Sequence, residues 1–305
     1  MNAQAAESRP SELRFLDPAV LARLGTLELK ARAVVEGLLS GLHRSPYKGF
    51  SVEFAEYRQY LPGDDLSAID WKVYARTDRH YVKKFEEETN VDCHVLLDVS
   101  ASMGYGSRGL TKLEYGELLA SSLAFLMNRQ RDAVGLTTFD NAIVSMLPPS
   151  ARPSHLRSVL LTLDQTRLGH RTDVSKPLHL LADGISKRGL VVFISDLLDE
   201  PERIIDGLRH FRFRGSEVIV FHLMDPAELT FPFERASRFR DLELGDEVMA
   251  VPSVVRQDYL DAVNAAIECY KRELGSQGID YRLVDTSTPL EFALVSYLST
   301  RGRRR

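Results

Sequence analysis

Only two cysteines, Cys93 and Cys269, occur in 305 residues, too few for a disulfide framework and suited to buried thiols of a reducing compartment. No stretch approaches the roughly 18 uninterrupted apolar residues of a membrane span, and Met1 to Pro10 lacks the apolar core of a secretory signal. A dominant charge is missing too. The 39 basic and 43 acidic residues leave a net charge of −4, which offers little to nucleic acid or to an anionic membrane surface. These absences point to a cytoplasmic protein with no membrane span and no nucleic-acid partner. The eight histidines show no His-Glu-x-x-His pairing, and His94 and His222 fall inside expected strands as core or rim residues. Neither a Gly-x-Ser-x-Gly elbow nor a Walker A sequence occurs, so serine hydrolase and P-loop ATPase readings lack their main residues.

What is present is an ordinary globular composition, 44% hydrophobic, in a chain long enough for a large domain with an attachment. Residues 1–16 read as a mobile start, 17–89 as a helical and β region, 90–300 as the main domain, and 301–305 as a basic tail. Within 17–42, Leu21, Leu24, Leu27, Ala33, Val34 and Leu38 carry helical periodicity. The dense stretch from Gly49 to Phe85 reads as two strands around a Pro62-Gly63-Asp64-Asp65 turn. From residue 91 onward, apolar runs of strand length alternate with helical patterns. The spacing predicts strands at 92–97, 133–139, 190–195, 217–223 and 280–285. Helices are expected at 111–130, 153–164, 174–185, 201–213, 254–275 and 289–299. That is an α/β fold with a doubly wound, mostly parallel, Rossmann-like sheet. Ala142 to Leu147 adds an antiparallel edge, and Arg238 to Val251 a hairpin turning at Leu244-Gly245-Asp246.

In such a sheet, ligands gather beyond the carboxyl ends of the strands. Asp98-Val99-Ser100-Ala101-Ser102 puts one carboxylate and two hydroxyls at the first such exit. If the segment stays extended, residues 98, 100 and 102 point the same way, and oxygen-only ligands suit Mg²⁺ or Mn²⁺ rather than zinc. A helix cap followed by loop serines explains the same five residues equally well. Asp196 ends a wholly apolar run, hence a central strand, and brings a second carboxylate toward the crevice. Thr172, in Gly169-His170-Arg171-Thr172-Asp173, either adds a hydroxyl or caps the next helix. Asp225, before Pro226, reads as a cap.

Asp98-x-Ser100-x-Ser102, then Thr172, then Asp196 resembles the metal-ion-dependent adhesion site (MIDAS) of von Willebrand factor type A (vWA) domains. The block Glu56-Tyr57-Arg58-Gln59-Tyr60-Leu61-Pro62-Gly63-Asp64-Asp65, with Ile69-Asp70-Trp71 and Ala75-Arg76, resembles the signature of the bacterial family known as domain of unknown function 58 (DUF58). The resemblance implies Mg²⁺ held by Asp98, Ser100, Ser102 and Thr172, with Asp196 binding directly or through water. It also implies association with a MoxR-type AAA ATPase.

The expected function is therefore a non-enzymatic, metal-dependent protein-interaction module that docks an acidic partner group. Catalysis would need a positioned base, a nucleophile or a second metal site, and the spacing shows none. The alternative is a metal-assisted phosphoester hydrolase with Asp98 and Asp196 holding the ion and Ser100 or Ser102 placed to react. A third reading, a nucleotide-binding oxidoreductase, rests on Gly104-Tyr105-Gly106-Ser107-Arg108-Gly109, which stands too far beyond the strand end for a dinucleotide fingerprint. Those glycines read instead as a flexible loop. Arg58, Asp64, Asp65, Asp70, Trp71 and Arg76 read as a structural cluster that pins a small β layer, with an ATPase-docking surface as the alternative.

Overall fold

Buried backbone groups must be paired, and the length and period of each apolar run decide whether a ladder or a helix pairs them. The structure, a computed structural model, describes residues 25–44, 57–60, 74, 76, 81–83, 92–169, 174–185 and 187–302. Two units divide the chain: residues 45–90, and a large unit made of 1–44 and 91–305. In the small unit β1 (Tyr57–Gln59) pairs antiparallel with β2 (Tyr81–Lys83), Arg58 opposite Val82. Asp64, Asp65, Asp70 and Trp71, and the expected strand near Gly49 to Phe54, lie outside the described residues.

Helix α1 (Leu27–Arg44) falls with the large unit, whereas the sequence grouped it with 17–89. The reason is its apolar stripe. Ala31, Val34, Val35 and Leu38 are buried at the i, i+3, i+4, i+7 spacing of one helix face, and α1 packs against α2 (Lys112–Arg129).

The large unit is built on a six-stranded sheet. β3 (Asp92–Asp98), β4 (Ala133–Phe139), β6 (Gly189–Ser195), β7 (Glu217–Met224) and β10 (Asp280–Asp285) run parallel, and β5 (Ile143–Ser150) closes one edge antiparallel to β4. The spatial order is β10-β7-β6-β3-β4-β5. The chain leaves β3 toward one side, then crosses back to build on the other, so the winding reverses between β3 and β6. Crevices form at such points.

Helices cover both faces. On one, Leu96, Val191, Phe193, Val218 and Val220 form a core with α4 (Ser175–Gly184), α5 (Pro201–Phe213) and α7 (Pro252–Ser276). Phe139 and Phe193 stack there with centroids 5.6 Å apart. On the other, α2 lies so close that a Cβ on Gly116 would meet Leu97 and Ile194 side chains at 2.9 and 3.5 Å. Also among the described residues are α3 (Pro153–Asp164), α6 (Pro226–Thr230), a five-residue helix that starts after the Asp225 cap read from the sequence, and α8 (Leu290–Gly302), which runs into the segment read as a basic tail. The hairpin β8 (Ser237–Arg240) and β9 (Glu247–Ala250) turns through Gly245 at φ +75°, a conformation that favours glycine. Among the described residues, no helix is long and apolar enough to cross a membrane.

Candidate functional site

β3 and β6 are neighbours with Leu97 opposite Ile194, so Asp98 and the Ser195-Asp196 pair emerge side by side at the reversal point. Asp98, Ser100, Ser102, Ser195 and Asp196 are all buried. Asp98 Oδ1 accepts the Ser100 N–H at 2.9 Å, and Oδ2 accepts the Ser195 hydroxyl at 2.7 Å. Ser195 Oγ in turn accepts the Leu197 N–H at 3.0 Å. The acid is held at both oxygens, with lone pairs to spare.

The segment after Asp98 does not stay extended. Ala101–Gly104 forms a 3₁₀ turn closed by the Met103 N–H to the Ser100 carbonyl at 3.1 Å. The turn, rather than strand alternation, brings the Ser100 and Ser102 hydroxyl oxygens to 3.0 Å from each other. Adjacent ligands of an octahedral Mg²⁺ at about 2.1 Å lie about 3 Å apart, so the two hydroxyls fit neighbouring positions on such an ion. Among the described residues no group of three or more His, Cys, Asp or Glu could hold a metal. An ion here would rest on one carboxylate and hydroxyls.

Thr172 lies outside the described residues. The chain up to Gly169 borders the crevice: the Gly169 N–H donates to the Val99 carbonyl, and Leu168 packs on Gly104.

Burial first, and the nearby Asp196 charge second, push the Asp98 carboxyl up to about 7 against the hydrogen bonds from Ser195 and Ser100. A divalent cation would relieve that unfavourable charge. The donor set, the hydroxyl spacing and the electrostatics all suit a hard cation.

Asp196 has a partner that sequence reasoning missed. Its Oδ2 accepts from Lys112 Nζ at 2.8 Å, and the same ammonium donates to Glu228 Oε1 at 2.7 Å. Burial works against the Lys112 ammonium, yet the charges and hydrogen bonds of Asp196 and Glu228 outweigh it and hold its pKa above the ordinary value. One signal was available in the sequence. Lys112 opens α2 directly after its Thr111 cap, where the helix dipole disfavours a cation, and a lysine there calls for a carboxylate partner. Nothing in the sequence pointed to Glu228, on the short helix α6.

Glu228 Oε2 also accepts the Asp225 N–H at 2.8 Å, while the Asp225 carboxylate caps α6 through the Ala227 N–H at 2.7 Å. Asp225 further receives the Ser107 N–H at 2.8 Å and the Ser107 hydroxyl at 2.5 Å. The glycine-containing loop 104–109, expected to be flexible, is thus pinned to α6. Its surroundings, with Asp98, Asp196, Asp225 and Glu228 close by, suit a pyrophosphate poorly.

The loop after β6 is equally held. Leu197 adopts φ +53°, a strained setting for a branched residue, with its carbonyl accepting from Tyr270 Oη at 3.0 Å. His222 sits beneath it, 2.7 Å from Tyr281 Oη through Nδ1 and hydrogen-bonded to the Asp196 backbone. Burial lowers His222 to about 4, so it is a neutral core histidine.

The family model described as protein of unknown function DUF58 matches residues 56–268. Uncharacterized protein Mb1516 of Mycobacterium bovis and uncharacterized protein Rv1480 of Mycobacterium tuberculosis are each 27% identical over 307 residues, covering 99% of this chain and 96% of their own length. Among solved structures, the conserved hypothetical protein BatB from Bacteroides thetaiotaomicron is 18% identical, with 70% of this chain and 100% of that one covered at a TM-score of 0.48. The SpRpn10 VWA domain is 14% identical, with 68% and 94% covered at a TM-score of 0.37.

Proposed function

The chain belongs to the DUF58 family, and from that premise we propose that it is a non-enzymatic protein-interaction module whose docking depends on Mg²⁺, or Mn²⁺, at a MIDAS of Asp98, Ser100 and Ser102, with Thr172 and Asp196 as further members. The observation that carries the reading is the pair of serine hydroxyls, 3.0 Å apart, beside the Asp98 carboxylate, which Ser195 and the Ser100 N–H fix where the sheet reverses. Asp98 contributes a single anionic ligand, and Ser195 with the Ser100 N–H holds its plane. A cation so bound would supply an open coordination position to an aspartate or glutamate of the partner.

The low count of anionic ligands is what supports adhesion over hydrolysis. A phosphoester hydrolase needs Asp98 and Asp196 to share the ion, and the pairing of Asp196 to Lys112 at 2.8 Å weighs against that. A MoxR-type AAA ATPase as partner rests on the family resemblance, whereas a cytoplasmic setting rests on the low cysteine content, which suits a reducing compartment.

The test is binding of the purified full-length chain to the MoxR-type ATPase of its own source organism by biolayer interferometry. Wild type in Mg²⁺, wild type in EDTA, and Asp98→Ala in Mg²⁺ are compared. Binding confined to the first condition supports docking through the site. Equal binding in all three removes the metal from the contact and moves the docking surface elsewhere.

A further inference from the structure

The Lys112 ammonium is a feature of this crevice that metal-dependent docking does not require. Its side chain is 1% exposed and lies 2.8 Å from Asp196 and 2.7 Å from Glu228. A buried ammonium is tolerable only when paired and hydrogen-bonded. Here it is paired twice, and one of its partners is the carboxylate that would complete an ion's shell. Glu228 cannot release it cheaply, because Glu228 Oε2 is itself engaged by the Asp225 N–H at 2.8 Å.

We infer that Lys112 is a built-in competitor of the metal ion. It holds Asp196 out of the ion's inner shell, leaves the ion to Asp98, Ser100 and Ser102, and thereby sets a weak site that needs a second anion from outside. This inference rests on the metal-dependent reading above.

The physical reasoning is one of charge. An ion beside Asp98 and Asp196 together would be neutralised within the protein and have little use for a partner's carboxylate. With Asp196 tied to Lys112 at 2.8 Å, the same ion has one anionic ligand in its inner shell, Asp98, and keeps a positive charge to offer. The lysine therefore exchanges intrinsic metal affinity for partner affinity.

The test is isothermal titration calorimetry of MnCl₂ and MgCl₂ into the full-length wild type, Asp98→Asn, Lys112→Met and Asp196→Asn, each first checked for native near-ultraviolet circular dichroism. A unit charge within bonding distance shifts an ionic equilibrium by about 10-fold or more. Lys112→Met is therefore expected to bind Mn²⁺ at least about 10-fold tighter than wild type, since it frees Asp196 and removes a positive neighbour. Asp98→Asn should lose binding, whereas Asp196→Asn should weaken it by no more than about 10-fold. If Lys112→Met fails to fold, the contrast between the two isosteric Asn variants decides, because only a direct ligand behaves like Asp98.

Unchanged or weaker binding by Lys112→Met, or loss in Asp196→Asn equal to that in Asp98→Asn, overturns the inference while leaving a metal site standing. Silence of both wild type and Lys112→Met removes the metal reading and the inference together. Binding by Lys112→Met with a silent wild type supports the lysine as the competitor.

Discussion

Replacing Asp98 by asparagine should make the metal-free protein more stable, not less, while abolishing its response to Mg²⁺. Asp98 is fully buried, and its carboxyl is pushed from 3.8 up to about 7 by burial and by Asp196. For an acid whose folded value is raised, the penalty is absent below the ordinary value, grows as pH rises, and is complete above the folded value. At about 1.4 kcal/mol per factor of ten, holding the charge at pH 8 costs about 4 kcal/mol. Asparagine keeps the shape and an oxygen for the Ser100 N–H, but its amide turns the Ser195 hydroxyl from donor to acceptor. That exchange costs about 1–2 kcal/mol. In EDTA at pH 8 the variant should therefore exceed wild type by about 2 kcal/mol, and at pH 4, where the charging penalty is nearly gone and the hydrogen-bond cost remains, it should fall about 1 kcal/mol below wild type. With Mg²⁺ at about 100 times its dissociation constant, wild type should gain about 2.7 kcal/mol and Asp98→Asn nothing. Urea denaturation followed by circular dichroism, at both pH values with EDTA or Mg²⁺, reads all four conditions. A variant less stable than wild type in EDTA at pH 8 would refute the electrostatic account. A Mg²⁺ response retained by the variant would refute Asp98 as a ligand.

Three further outcomes follow from the packing. His222 is a base lowered from 6.5 to about 4 by burial, so stability should fall with acid across that window. Between pH 7 and pH 4.5, wild type should lose about 2–3 kcal/mol more than His222→Gln in paired urea titrations; equal losses would sink the idea. A Cβ at Gly189 would lie 2.2 Å from the Asp92 carbonyl of the neighbouring strand, whereas one at Gly184 would meet nothing within 4 Å. Gly189→Ala should therefore cost at least about 2 kcal/mol and Gly184→Ala close to nothing, as thermal melts will show. On α1, Val34 is fully buried and Leu29 is 56% exposed. Val34→Asp should lower the unfolding midpoint of the large unit, with Leu29→Asp leaving it in place; equal effects would mean that α1 does not pack through the stripe described.

Fold class was legible because the large unit repeats one simple pattern. β4, β10, α3 and α5 occupy the spans that periodicity assigned, 133–139, 280–285, 153–164 and 201–213. Runs such as Leu190 to Ile194, apolar at every position, have few outlets besides a covered parallel strand. Periodicity failed where short-range chemistry overrode it. The turn at Ala101–Gly104 is too short to carry a period, and α6 is five residues held by the Asp225 and Glu228 capping box. The placement of α1 was hidden for another reason. Its stripe says that one face is buried, and a stripe does not name the surface that buries it.

By itself, the sequence determined the alternation of strands and helices, the exit of Asp98 from a strand and of Asp196 from a central one, and the order of Ser100, Ser102 and Asp196, because these follow from local period and chain direction. Only the tertiary structure decided the charge at the crevice. Lys112 lies 84 residues from Asp196 and 116 from Glu228, and no spacing rule joins them. Their pairing is set by distance through space and by the exclusion of water, and those two quantities determine how strongly buried charges interact.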